Sequence, residues 1–172
     1  MAFADDLASR RNLDPAWVRR QVAQAQRIPT VARLMAPAPS GTAKNWAAYR
    51  ARFVEPVRLR AGLRFWQDNR DALARAETTL GVPASLIVGV IGVETLYGQH
   101  TGNFRVIDAL TTLAFDFPAS HPRADARTAF FKSELEQYLS LTQRTGMDPQ
   151  ALRGSYAGAM GWPQFMPSSW AK

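Results

Sequence analysis

The chain has 172 residues, 47% of them hydrophobic and five of them tryptophan, with no cysteine and a formal net charge of +7. That is enough apolar mass for one packed domain, or a domain with a helical extension, and it excludes disulfides and thiolate metal sites. The charge is uneven: residues 1–80 hold 14 Lys and Arg against 7 Asp and Glu, while residues 81–172 hold 7 against 7. Nearly all the excess is arginine, which suits phosphate or carboxylate recognition but equally the solvated face of amphipathic helices. No nucleic-acid motif accompanies it, so no nucleic-acid partner is expected.

In chain order, MAFADDLASRRNLDP lacks an apolar run of seven or more residues behind a basic region, so neither a secretory signal nor a membrane anchor is expected there. Phe3 to Arg10 reads as a short helix, and Asp14-Pro15 as a cap and first-turn proline for a helix over Ala16 to Arg27. Val31 to Met35 offers one further turn, and Ala36 to Gly41 a loop. Thr42 is a candidate cap for a helix carrying Trp46, Tyr49 and Phe53, interrupted by Pro56. From Val57, the residues Leu59, Leu63, Trp66, Leu73 and Leu80 predict a core-facing helical stripe closed by Gly81.

A helix is then predicted from Pro83 to Tyr97, apolar on nearly every side and too short in its apolar part to span a bilayer. Between Thr78 and Phe104 the only formally charged residue is Glu94, in the last turn of that helix. Burial and the negative end of the helix dipole would both raise its pKa, the state a general acid needs near neutral pH. A buried glutamate neutralised by an arginine is the alternative. Residues 99 to 105 form a loop; Asp108 is a candidate cap for Ala109 to Phe115; Ala124 to Thr145 is amphipathic through Phe131, Leu135, Tyr138 and Leu139, with Gly146 behind it. Asp148-Pro149 begins a short helix ended by Gly154. No period-two alternation runs over a useful length, so the fold is mainly or wholly α.

Ser155 to Trp170, SYAGAMGWPQFMPSSW, brings glycines at 158 and 161 beside Tyr156, Trp162, Gln164, Phe165 and Trp170. Flat aromatic faces and an amide suit a sugar ring, although a Gly-rich turn over aromatic core residues has the same composition.

These motifs in order, GVETLYG around Glu94, FRVIDALTTLAFDFP at 104–118, FFKSELEQYL at 130–139 and SYAGAMGWPQFMPSSW at 155–170, resemble the membrane-bound lytic murein transglycosylase B family. FWQDN at 65–69 and GVP at 81–83 extend the resemblance, which runs across about half the chain. It implies an all-α, lysozyme-like catalytic core over residues 81–172, incomplete at its C-terminal end, behind an N-terminal helical region over residues 1–80. It further implies cleavage of the bond between N-acetylmuramic acid and N-acetylglucosamine in peptidoglycan, leaving 1,6-anhydromuramic ends, with Glu94 as the single catalytic acid and base. Ser155 falls on a motif serine that holds the glutamate and Gln164 on a glutamine of the saccharide groove, while Tyr97, Tyr156 and Phe130 are further substrate contacts. Phe130 stands where the family often carries a tyrosine.

No cofactor or metal is expected, since no Asp-rich calcium loop occurs. The glycan strand is the expected partner of a monomer in the periplasm, with outer-membrane association only through a lipid anchor outside this sequence. Two alternatives share the substrate: a hydrolytic muramidase with Asp116 as second carboxylate, and a noncatalytic peptidoglycan-binding module.

Overall fold

The computed structural model describes residues 2–37 and 45–171. In chain order the elements are α1 (Ala2–Arg11), α2 (Pro15–Ala23), α3 (Pro29–Leu34), α4 (Trp46–Ala51), α5 (Pro56–Asp68), α6 (Arg70–Leu80), α7 (Ala84–Thr95), β1 (Phe104–Arg105), α8 (Val106–Phe115), α9 (Ala124–Thr145), β2 (Arg153–Gly154) and α10 (Pro167–Trp170). The all-α expectation holds apart from the two-residue strands β1 and β2, which pair antiparallel with Phe104 opposite Gly154. Among the described residues no single helix is long and apolar enough to cross a membrane. The chain folds as two compact units that interleave in sequence: residues 2–37, 102–160 and 165–171 in one, 45–101 and 161–164 in the other.

The first unit is built on α8 and α9. Val106, Ile107, Leu110 and Leu113 of α8 and Phe131, Leu135, Tyr138 and Leu139 of α9 are all fully buried. Each contributes about 1.5–3 kcal/mol relative to exposure. Leu7, Val18 and Val31 bring α1, α2 and α3 onto the same core. Gly146 ends α9 in the left-handed region at φ 70°, as its position after a long amphipathic run predicts. Around this core two buried polar side chains bond to distant backbone. Tyr138 donates to the Pro149 carbonyl at 2.8 Å, and Glu134 accepts from the Ser168 backbone N–H at 2.9 Å, fixing the start of α10.

Several expectations need correction in this unit. The helix expected over Ala16 to Arg27 stops at Ala23, because the next turn is drawn off by α8. The Gln26 N–H donates to Asp108 Oδ1 and the Ile28 N–H to Thr112 Oγ1, both at 2.9 Å. Asp108 is therefore not the cap of α8; it lies within the first turn, buried, with Arg105 Nε 3.2 Å away. The segment after Asp148 forms a turn and β2 rather than a helix, since the Leu152 carbonyl accepts from the Val106 N–H and Arg153 pairs with Arg105.

In the second unit, α5, α6 and α7 enclose a small core of Phe65, Leu73, Ala84 and Val88. The single helix expected from Val57 to Leu80 is two helices. Asn69 breaks it: its amide Nδ2 donates to the Phe65 carbonyl at 2.8 Å, the competition with helical bonding that asparagine offers. Pro56 begins α5 rather than interrupting a helix, capped by Glu55, whose carboxylate accepts from the N–H groups of Val57 and Arg58. Gly81 ends α6 at φ 68° as expected. Thr42 and most of the loop over 36–41 lie outside the described residues; within them, Asn45 caps α4.

The apolar stripe is placed differently from the prediction. Leu73 is buried, but Leu59, Leu63, Trp66 and Leu80 are exposed, as are Leu86, Val90 and Val93 of α7. Helices α5 and α7 meet instead along Gly62, Phe65, Val88 and Gly92. Both helices carry apolar residues on opposite sides, and the side that packs is the one whose glycines permit close approach. Trp46 is 70% exposed and stacks on Tyr49 with ring centroids 5.7 Å apart.

Candidate active site

Helix α7 delivers Glu94 to its last turn, as the sequence predicts, but the carboxylate is exposed. The burial on which the expected acid shift rested is not present, because the neighbouring Val90 and Val93 are themselves open. Neither a hydrogen bond nor an ion pair engages the Glu94 carboxylate among the described residues. Within its unit, the backbone of the last turn sets where it stands.

That backbone has an unusual ending. Leu96, Tyr97 and Gly98 all have positive φ, at 51°, 59° and 84°. The Leu96 N–H reaches the Gly92 carbonyl at 3.3 Å, the bond of an αL helix end with leucine where glycine is usual, and the Tyr97 N–H reaches back to the Ile91 carbonyl, also at 3.3 Å. A left-handed conformation costs a non-glycine residue about 1–2 kcal/mol. Thr95, 1% exposed, offsets it. Its hydroxyl accepts from the Gly98 N–H and faces the Trp162 carbonyl, each at 2.9 Å, with the Ile91 carbonyl at 3.2 Å as the other acceptor.

Tyr97 completes the ending from the other side. Its hydroxyl enters a notch between two helices: a Cβ placed on Gly62 of α5 or on Gly92 of α7 would stand 2.4 or 2.5 Å from Tyr97 Oη. Arg58 of α5 donates to the Gly92 carbonyl at 2.8 Å beside it. The Phe65 ring lies 5.4 Å from Tyr97 and, edge to face, 5.5 Å from Trp162. A hollow of about 150 Å³ opens along Ala61, Arg64, Phe65, Asp68, Tyr97 and Gln99.

Gln164 belongs to the same unit. It too has positive φ, 52°, and its Nε2 donates to the carbonyls of Thr101 and Gly161 at 3.0 and 2.9 Å. Only its amide oxygen stays open to a ligand. Glu94, Tyr97, Trp162 and Gln164 thus share one unit.

Ser155, Tyr156 and Phe130 are in the other unit. Ser155 Oγ accepts from the N–H groups of Ala157 and Ala159 at 3.2 and 3.1 Å, so both its lone pairs hold the turn and its proton remains to be donated. Tyr156 is exposed. Phe130 is also exposed at the rim of α9, under the Arg127 guanidinium at 5.1 Å. Asp116, the candidate second carboxylate, accepts from Arg27 at 2.7 Å. Among the described residues no three His, Asp or Glu side chains converge as a metal ion requires.

Sequence reasoning singled out Glu94 but not Thr95, Gly62, Gly92 and Arg58, which shape the turn behind it. The glycines were the available signal: a glycine inside each of two apolar helices is costly unless something approaches closely.

All 172 residues match the model of the family described as Transglycosylase SLT domain. The chain is 40% identical over 176 residues to membrane-bound lytic murein transglycosylase B of Escherichia coli K12, covering 98% of this chain and 47% of that protein. The soluble lytic transglycosylase SltB1 of Pseudomonas aeruginosa superposes with a TM-score of 0.88 at 41% identity, over 98% of this chain and 54% of that one. SltB3 of the same organism, solved in complex with NAG-anhNAM-pentapeptide, gives 0.82 at 27% identity, over 98% and 43%. The chain thus spans about half the length of the relatives it matches.

Proposed function

The chain belongs to the transglycosylase SLT domain family, and from that premise we propose that it supplies the catalytic glutamate of a peptidoglycan lytic transglycosylase, with Glu94 in that role. The observation that carries the reading is a carboxylate, without a hydrogen-bond or ion-pair partner among the described residues, held out at the end of α7 by a strained, heavily braced turn. Strain of this kind is kept where a site needs it.

In the proposed reaction, protonated Glu94 donates its proton to the glycosidic oxygen between N-acetylmuramic acid and N-acetylglucosamine as the C1–O4 bond breaks. The muramoyl acetamido oxygen stabilises the positive charge developing at C1. The Glu94 carboxylate then removes the proton from the C6 hydroxyl, and O6 bonds to C1. Glu94 ends protonated, no water is consumed, and a 1,6-anhydro end results. Mechanisms with two carboxylates need a second acid nearby. The candidate for that role, Asp116, is already engaged by Arg27.

Ser155, through its free proton, Tyr156, Phe130 and the Gln164 amide oxygen are proposed to serve the saccharide, with residues 1–80 a helical region preceding the catalytic stretch. The substrate places the protein in the periplasm, acting as a monomer on glycan strands. The relative named membrane-bound supports association with the cell envelope.

The test is mass spectrometry of muropeptides released from purified sacculi by the chain and by Glu94→Gln. Anhydromuramic ends that vanish in the variant support the proposal. Reducing ends would identify a muramidase, and sacculus binding without release a recognition module.

A further inference from the structure

Given the reading of Glu94 as the acid and base, we propose that Tyr97 is a positioning residue for it rather than a contact to the sugar. The argument starts from the carboxylate itself. Among the described residues no hydrogen bond or ion pair engages Glu94, so within its unit its position is inherited from the last turn of α7, and that turn is fixed at points on either side of it.

Behind Glu94, the Gly92 carbonyl is gripped by Arg58 at 2.8 Å. Ahead of it, Tyr97 turns back under the helix and seats its hydroxyl end between Gly62 and Gly92, where neither glycine could carry a Cβ. The ring is thus a peg between α5 and α7, and the left-handed backbone of Leu96 and Tyr97 reverses the chain to place it there. Thr95 closes the turn against Trp162 and Gly98. Two glycines in helix interiors, one aromatic ring in their notch and three consecutive positive φ angles form one device, and Glu94 stands at its edge. A displacement of about 1 Å in a reacting group slows chemistry on the order of a hundredfold.

Four variants of the chain test this: Tyr97→Phe, Tyr97→Ala, Gly62→Ala, and Tyr97→Ala with Gly62→Ala. Each is assayed for kcat and KM on sacculi and for amide exchange at Leu96 to His100. Tyr97→Ala should lower kcat about a hundredfold with KM within about threefold, while Tyr97→Phe, which keeps the ring, stays within about threefold of the parent. Exchange at Leu96 to His100 should quicken at least about tenfold in Tyr97→Ala and not in Tyr97→Phe. Gly62→Ala should act like Tyr97→Ala in the parent but add nothing once the ring is gone, a coupling that general destabilisation does not produce.

A rise in KM with kcat unchanged in Tyr97→Ala would make Tyr97 a substrate contact and overturn the proposal. So would unchanged exchange at Leu96 to His100. If the parent chain releases no anhydro product, the functional reading has failed for this chain. The exchange data and the Gly62 coupling, read by exchange, then decide the positioning claim alone. If Tyr97→Ala does not fold, the comparison of Gly62→Ala with Tyr97→Phe carries the same decision.

Discussion

Replacing Thr95 by valine keeps the shape of the side chain and removes only its hydroxyl. That hydroxyl accepts from the Gly98 N–H at 2.9 Å and donates its single proton to one of two carbonyls, the nearer being Trp162 at 2.9 Å. Two bonds worth about 0.5–1.5 kcal/mol each are lost, and their backbone partners remain where Thr95, 1% exposed, keeps water out. An unsatisfied buried group costs about 1–3 kcal/mol, and because Gly98 is half-buried and can partly rehydrate, the sum is about 2–4 kcal/mol. Urea denaturation followed by tryptophan fluorescence should show that loss. Amide exchange at Gly98 should rise about 30-fold to 700-fold, at about 1.4 kcal/mol per factor of ten. Thr95→Ser, which keeps the hydroxyl, should stay within about 1 kcal/mol. A change below about 0.5 kcal/mol in Thr95→Val with Gly98 protection intact would refute the bracing role assigned to the hydroxyl.

The exposed side of α7 can be checked by comparing two valines. Val88→Ala should cost about 1.5–2.5 kcal/mol by denaturation, whereas Val90→Ala, from the open side, should stay within about 0.5 kcal/mol. Tyr138 predicts a pH dependence. Burial first, and the nearby Asp148 charge second, hold its pKa above the ordinary value of 10.0, so above that pH the unfolded chain releases a proton that the folded chain retains. Its contribution is therefore full below about pH 10 and falls as pH rises, by about 1.4 kcal/mol per pH unit. Chemical denaturation at pH 9 to 11 should show the slope, and Tyr138→Phe should abolish it.

Much of the skeleton was legible because it depends on neighbours in sequence. Asp14-Pro15 starts α2, Gly81 and Gly146 end α6 and α9, and the spacing of Phe131, Leu135, Tyr138 and Leu139 marks the buried side of α9. Glu94 was legible for the same reason, as the lone charge in a long uncharged run at the end of a helix. Motif order then gave the family, since several short patterns in one sequence are specific where each alone is not.

Tertiary structure decided the matters that turn on a choice between equivalent faces or competing partners. Helices α5 and α7 carry apolar residues on two sides, and the seat of Tyr97 between Gly62 and Gly92 marks which side is inside, leaving Leu59, Leu63, Val90 and Val93 exposed. Asp108 is as good a cap as any in the sequence. What moved it inside α8 is a backbone N–H from Gln26, 82 residues away. The seat of Tyr97 likewise depends on a glycine 35 residues earlier in the chain, and a contact of that range leaves no local pattern to read. From neighbours in sequence alone came the proline starts and glycine ends of several helices and the acid that stands alone. The packing of one backbone against another determined which faces are buried and how that acid is held.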